Sequence, residues 1–228
     1  MKNATGRPGT WKLIAGEPCL DFANTADWHA SDRPRETLHT FADLLEWCRQ
    51  ARLVEPRTAG EMQRAARRRP SAARAAWSRA LALREALYRI ALALARREPV
   101  PADDLATLNR ALRSTLGHQS LEPTAAGLSR AWAPPRQPLD ALLRPILESA
   151  VHLLTSDRHL RIGQCADDRG CGWLYVDTTK NRSRRWCDMT DCGNRAKARR
   201  HVERRRRETR KAGRARPAPG RAGEEARG

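Results

Sequence analysis

The sequence predicts a mainly α fold: a helical N-terminal domain with a small β-hairpin, then a small cysteine-bearing hairpin and a basic C-terminal helix. Three observations predict it. Apolar residues recur at three- and four-residue intervals through most of the first 160 positions. Alanine is dense between Pro70 and Arg97, which favours helix. Four of the six cysteines fall within 28 residues and are followed by a run rich in arginine.

A length of 228 residues suits one medium domain with its own core plus a small appended module. The boundaries expected from composition are 10–157 for the helical domain, 160–211 for the cysteine module with its basic helix, and 212–228 for a disordered tail of Pro, Ala, Gly and charge.

Trp11 to Thr25 has Gly16 and Pro18 as turn punctuation and only a short apolar piece around Leu20 and Phe22, so strand or irregular chain is expected. Ser31 or Asp32 can cap a helix with Pro34 in its first turn, running to Leu53 with Leu38, Phe41, Leu44, Leu45 and Cys48 on one face. A helix follows over Thr58 to Arg68. Another starts after Pro70 and ends near Arg97, with Trp77, Leu81, Leu87, Ile90 and Leu94 inward. Pro101-Ala-Asp-Asp opens a fourth, its carboxylates at the positive end of the dipole, and Gly117 stops it after Leu116. Between Gln119 and Pro135 the turn residues around Gly127 predict a small hairpin. A fifth helix, Leu139 to Ser156, is expected to bury Leu142, Leu143, Ile146, Leu147, Val151 and Leu154, with Pro145 tolerated near its first turn.

No run of apolar residues is long enough to cross a membrane, and Met1 to Thr10 lacks an apolar leader. A cytoplasmic protein is expected. Without a secretion signal, clustered cysteines more often bind metal than pair as disulfides.

Cys165 and Cys171 enclose five residues, Cys187 and Cys192 enclose four, and fifteen lie between the pairs. This spacing predicts a zinc-ribbon-like module, two knuckles joined by a hairpin, with all four thiolates on one structural Zn²⁺ at ~2.3 Å. A module this small cannot bury enough apolar surface alone, so the ion supplies much of its folding energy. Arg161, Arg184, Arg185 and Lys197 are placed to offset the charge of four thiolates. Trp173-Leu-Tyr-Val176 alternates like a strand, Asp177-Thr-Thr reads as a turn and Arg182 to Trp186 as the returning strand. Trp173 and Trp186 are expected beside the metal. Cys19 and Cys48, each alone in an apolar setting, read as buried thiols.

The net charge of +18 is concentrated: Arg182 to Arg216 holds 15 Lys and Arg against 4 Asp and Glu, or +11, leaving +7 for the rest. Such clustering points to a polyanion, nucleic acid ahead of anionic membrane. Gly193 and Asn194 turn and cap the helix that carries most of it, which is expected to run to Lys211. Arg184, Arg185, Arg195, Lys197, Arg199 and Arg200, nearest the metal, are the candidate nucleic-acid contacts. Like charges at i and i+4, as in Arg195/Arg199, Arg200/Arg204 and Arg206/Arg210, cost ~0.2 to 0.5 kcal/mol each unless a phosphate backbone neutralises them.

The run CGWLYVDTTKNRSRRWCDMTDCGNRAKARR, Cys171 to Arg200, resembles the CGNR zinc finger, named for the tetrapeptide Cys192-Gly193-Asn194-Arg195. LIAGEPCLDFANTADWH, Leu13 to His29, with FADLLEWCRQARLV after it, resembles the mainly helical ABATE domain that accompanies this finger. The resemblance spans residues 10 to 205 and implies a stress-induced transcriptional regulator that binds DNA. Where the family's first cysteine pair encloses four residues, five stand here, so Asp167 and Asp168 are alternative ligands.

The leading expectation is a DNA-binding regulator whose helical domain senses a ligand or mediates assembly. RNA or ribosome association is the alternative, with Trp173 or Trp186 stacking on bases if exposed. No enzyme signature is present, and no enzyme is expected; a pocket shared by His29, His39, Asp21 and Asp27 would be the place to look.

Overall fold

A computed structural model describes residues 10–117, 119–132 and 138–214. The tail expected from 212 lies outside the described residues apart from 212–214, which continue the last helix.

The long helix α4 (Pro70–Arg96) is the axis of the fold. Proline at its first position presets the backbone, and Arg97 ends it in the left-handed conformation, φ 58°. Its inward stripe of Ala76, Ala80, Leu83, Leu87, Ile90 and Ala91 is buried, while Trp77, Leu81 and Leu94 are half-buried against the same core. Around it pack α1 (Pro18–Ala23), α2 (Phe41–Gln50), α3 (Pro56–Arg68) and α5 (Ala102–Leu116). Near α5 stands the hairpin β3 (Gln119–Thr124) and β4 (Gly127–Trp132), turning at Gly127 with φ 123°.

Three expectations are corrected in this domain. The stretch around Leu20 and Phe22 is the helix α1, not extended chain. Pro18 starts it, and the Asp21 carboxylate accepts from the Ile14 and Ala15 backbone N–H groups, each at 2.9 Å, folding the preceding chain back. A helix of six residues is too short to display a period. The second helix begins at Phe41 rather than Pro34: Thr40 and Asp43 form a reciprocal capping box. Residues 35 and 36 instead pair as β2 (Arg35–Glu36) with β1 (Ala26–Asp27). Ahead of α6 (Arg144–Thr155) the chain makes a tight 3₁₀ segment, Pro138–Leu143. Ile146, Leu147, Ala150 and Leu153 form the buried stripe, so Val151, one step around the helix from Ala150, is turned outward at 38 % exposure rather than buried.

After α6 a second 3₁₀ turn leads into β5 (Ile162–Gln164), antiparallel to β6 (Leu174–Val176) with Gly163 opposite Tyr175. Alternation sorts their side chains. Ile162, Leu174 and Val176 enter the main core, whereas Tyr175 faces a second cluster with the four cysteines. A Cβ at Gly163 would sit 2.8 Å from the Tyr175 ring, so glycine is required there. The cysteine module thus completes the core of the helical domain. Among the described residues no helix is long and apolar enough to cross a membrane.

Candidate metal centre and its basic helix

The four sulfurs of Cys165, Cys171, Cys187 and Cys192 lie within 4.8 Å of one another, all buried. Cys171 and Cys187 are separated by 3.7 Å, Cys187 and Cys192 by 3.6 Å. A tetrahedron with ~2.3 Å metal–sulfur bonds has edges of ~3.8 Å, so the cage is the size Zn²⁺ requires. Cys165 leaves β5 with its N–H donating to the Trp173 carbonyl at 2.8 Å, and Ala166 donates to the Arg185 carbonyl at 2.8 Å. Gly170 and Gly172 hold φ of 92° and 70°; a Cβ on Gly172 would meet the Ala30 nitrogen at 2.6 Å. Trp173 is buried beside the sulfurs and Trp186 half-buried against them.

Hydrogen bonds from Cys171, Cys187 and Cys192 push the Cys165 thiol far down, while its sulfur neighbours push the Cys187 and Cys192 thiols far up. Four thiolates together need a cation at their centre. Four protein ligands leave no open position for water, which makes the site structural.

The returning strand expected over Arg182 to Trp186 does not form, and the partner of β6 is β5, upstream of the first cysteine. The Asp177 carboxylate accepts from Thr179 N–H at 2.8 Å and Arg184 N–H at 2.9 Å, so this segment is a loop wound on one side chain. Arg184 is enclosed. Its guanidinium donates to the carbonyls of Ile14 and Trp186, each at 3.1 Å, reaches the Cys187 carbonyl and lies 4.2 Å from the Tyr175 ring centre. Arg161 donates to the Asp177 and Thr179 carbonyls. Among the described residues the cation hydrogen-bonded to a cage sulfur is Arg195, whose Nη2 donates to Cys192 Sγ at 2.8 Å.

Asp167 is not a ligand. Its side chain is 0 % exposed and accepts from the Arg169 backbone N–H at 3.1 Å, Arg195 Nη2 at 3.1 Å and Arg199 Nη2 at 3.3 Å. Burial raises its carboxyl pKa, but the hydrogen bonds from Arg169 and Arg195 outweigh that and hold it below the usual carboxylate range. Asp168 is exposed and pairs with Arg199. The five-residue spacer supplies both carboxylates to arginines, Asp167 from a buried position and Asp168 from an exposed one.

The N-terminal segment grips the module. Asn24 donates to the Leu174 carbonyl and accepts from its N–H, both at 2.8 Å. Val176 N–H donates to the Ala15 carbonyl at 2.7 Å, and the Tyr88 hydroxyl donates to the Gly172 carbonyl at 3.0 Å. Lys12 reaches Asp188 at 2.8 Å and Asp191 at 3.5 Å, and Trp28 takes Arg169 and Arg195 against its ring at 5.2 and 5.4 Å. Of these residues sequence reasoning singled out Arg195 and the strand residues Leu174 and Val176, and none of the partners that hold them. Their only signal is that several sit in the Leu13 to His29 stretch. His29, Asp21, Asp27 and His39 do not converge: His29 stacks on Tyr88 and meets Glu85 at 2.8 Å, Asp27 pairs with Arg35, and His39 is exposed at the start of α2.

A family model described as "Putative stress-induced transcription regulator", ABATE, matches residues 16–157, and the CGNR zinc finger matches 161–205. The chain belongs to the ABATE family. No curated protein matches it. The cofactor of this ABATE protein is Zn²⁺, held by the CGNR finger.

In this ABATE chain a π turn, Met189–Gly193, carries Cys192 and runs directly into α7 (Asn194–Arg214). The cap is Asp188, accepting from Thr190 N–H at 2.8 Å, rather than Asn194, which lies in the first helical turn and donates to the Thr190 carbonyl at 3.0 Å. A Cβ on Gly193 would come 2.5 Å from Sδ of Met189, an exposed and flexible side chain that can move aside. The candidate contacts divide. Arg184 and Arg195 are half-buried and committed to the finger, and Arg199 is half-buried on Asp167. Arg185, Lys197 and Arg200 are exposed, with Arg185 and Arg200 near the Trp186 ring at 5.3 and 6.0 Å. The expected Arg195/Arg199 repulsion is relieved by Asp167. From His201 to Thr209 every residue is exposed.

Proposed function

We propose that this ABATE protein is a cytoplasmic DNA-binding transcriptional regulator in which the zinc finger serves as a mount for α7. The supporting observation is the helix itself. From Arg195 to Arg214 it holds eleven Lys and Arg against two Glu, and beyond its first turns, tied to the finger, His201 to Thr209 are all exposed. Lys197, Arg200, Arg204 and Arg207 recur at three- and four-residue steps and so share one face. A face of that kind follows a phosphate backbone, and guanidinium groups at its centre suit guanine edges in the major groove. The helical domain is the sensing or assembly half.

Fluorescence anisotropy with a labelled duplex tests the proposal. Replacing Lys197, Arg200, Arg204 and Arg207 with Gln removes about four phosphate contacts, and the slope of log K against log salt should fall by ~0.9 for each. An unchanged slope, or no duplex binding by the parent protein, defeats the reading. Competition with structured RNA separates the alternative partner; Trp173, 6 % exposed, is not available to stack on bases.

A further inference from the structure

The helical domain holds a cleft remote from the zinc. Only Arg69 separates α3 from α4, so the chain reverses sharply and the two helices diverge from that point, with the start of α2 closing the third side. The cleft has a volume of about 660 Å³, within the range of small-molecule sites. Phe41, Leu45 and Trp77 supply its apolar walls, and Arg67 and Arg74 stand on its lining from opposite helices. Some arginines of these helices pair with carboxylates, Arg57 with Glu61 at 3.3 Å and Arg79 with Asp140 at 2.8 Å, while others, such as Arg64 and Arg68 on α3, do not among the described residues. Arg67 and Arg74 have neither an ion-pair nor a hydrogen-bond partner among the described residues.

We propose that this cleft binds an amphipathic carboxylic acid, with its apolar body against Phe41, Leu45 and Trp77 and its carboxylate between Arg67 and Arg74. Two exposed arginines on the lining of one apolar cleft are complementary to an anion with a hydrocarbon body and disfavour a cationic one of the same shape. The indole N–H does not compete for the ligand, because it already donates to the Leu38 carbonyl at 2.7 Å. The proposal rests on the helical domain being the sensing half of a regulator.

The test is calorimetric titration of the full-length zinc-loaded protein with decanoate and decan-1-ol, in the absence of DNA, so that its outcome is separate from that of α7. Decanoate should bind at least about tenfold more tightly than the alcohol, the margin of charge-assisted hydrogen bonds over neutral ones. Arg67→Gln with Arg74→Gln should erase that margin while leaving the weak apolar term. Ala42→Trp, at an exposed position on the cleft lining, should fill the space and abolish binding of both. Equal binding of acid and alcohol, binding that survives Ala42→Trp, or no binding of decanoate below its micelle threshold would each overturn the proposal. So would a double arginine variant that loses duplex affinity in a protein that takes up no carboxylate, which would assign these two side chains to nucleic acid.

Discussion

Replacing Asp167 with Asn separates its role as an arginine anchor from a role as metal ligand. The carboxylate is fully enclosed, whereas its partners Arg195 and Arg199 keep 26 % and 30 % side-chain exposure. Water can therefore recover part of what the arginines lose. The cost lies between an exposed pair's ~0.2 to 1 kcal/mol and a buried pair's ~3 to 5 kcal/mol, at about 2 kcal/mol. The unrelieved Arg195/Arg199 repulsion adds ~0.2 to 0.5 kcal/mol. Because α7 is held to the finger mainly through these arginines, the loss should appear locally. Amide hydrogen exchange over residues 194–200 should accelerate roughly 30-fold, the equivalent of about 2 kcal/mol. Zinc content, measured with a chromogenic chelator, should stay at one ion per chain. Unchanged protection in α7 would refute the anchoring role, and loss of zinc on substitution would show that the carboxylate is a ligand after all.

Three further outcomes are expected. Chelating the zinc should loosen the helical domain as well as the finger, because Ile162, Leu174 and Val176 lie in its core; a calorimetric transition of the helical domain left unmoved by chelation would contradict the shared core. Asn24→Ala strands a buried N–H and carbonyl of Leu174, costing about 2 to 4 kcal/mol and lowering Tm by roughly 5 to 15 °C, with Asn24→Asp intermediate in a thermal melt. Burial pushes the Glu85 carboxyl up, but His29 and Arg84 more than offset this and hold it down at about 2, below its ordinary 4.5. A depressed carboxyl stabilises the fold fully above 4.5 and loses that contribution as pH falls toward 2. Urea midpoints should accordingly decline over that window in the parent protein and less steeply in Glu85→Gln; equal slopes would remove Glu85 from the acid response.

The parts legible in the sequence are those whose causes are local. Helices α4 and α5 announce themselves through Pro70 and Pro101 at their starts and through an apolar period, and α3, expected from Thr58, starts two residues earlier at Pro56. The hairpin at Gly127 is marked by its turn. The cysteines are marked by spacing alone, since a tetrahedral ion accepts few arrangements of two pairs. Cys19 and Cys48 proved to be buried thiols, the former pushed up to about 12 by desolvation. What escaped depends on distant partners. Leu174 to Val176 is legible as a strand, but its mate Ile162 to Gln164 is three residues long and has no pattern. Arg184 looks like every other arginine in a basic run until the Ile14 carbonyl comes to meet it. Asp167 reads as an alternative metal ligand, and only three arginines gathered from the spacer and α7 show why it is buried.

The cementing of β5 and β6 into the helical core bears on how any signal could travel. A finger on a free linker would average over orientations and report nothing of its neighbour's condition. Here α7, about 30 Å long for 21 residues, extends from a finger that is itself held to α4 through Tyr88 and to the N-terminal segment through Asn24. A tilt of α7 by about 5° at its base would carry the far end through roughly 2 to 3 Å, enough to exchange one set of phosphate contacts for another. Small adjustments among packed helices are thereby magnified where the charge is greatest.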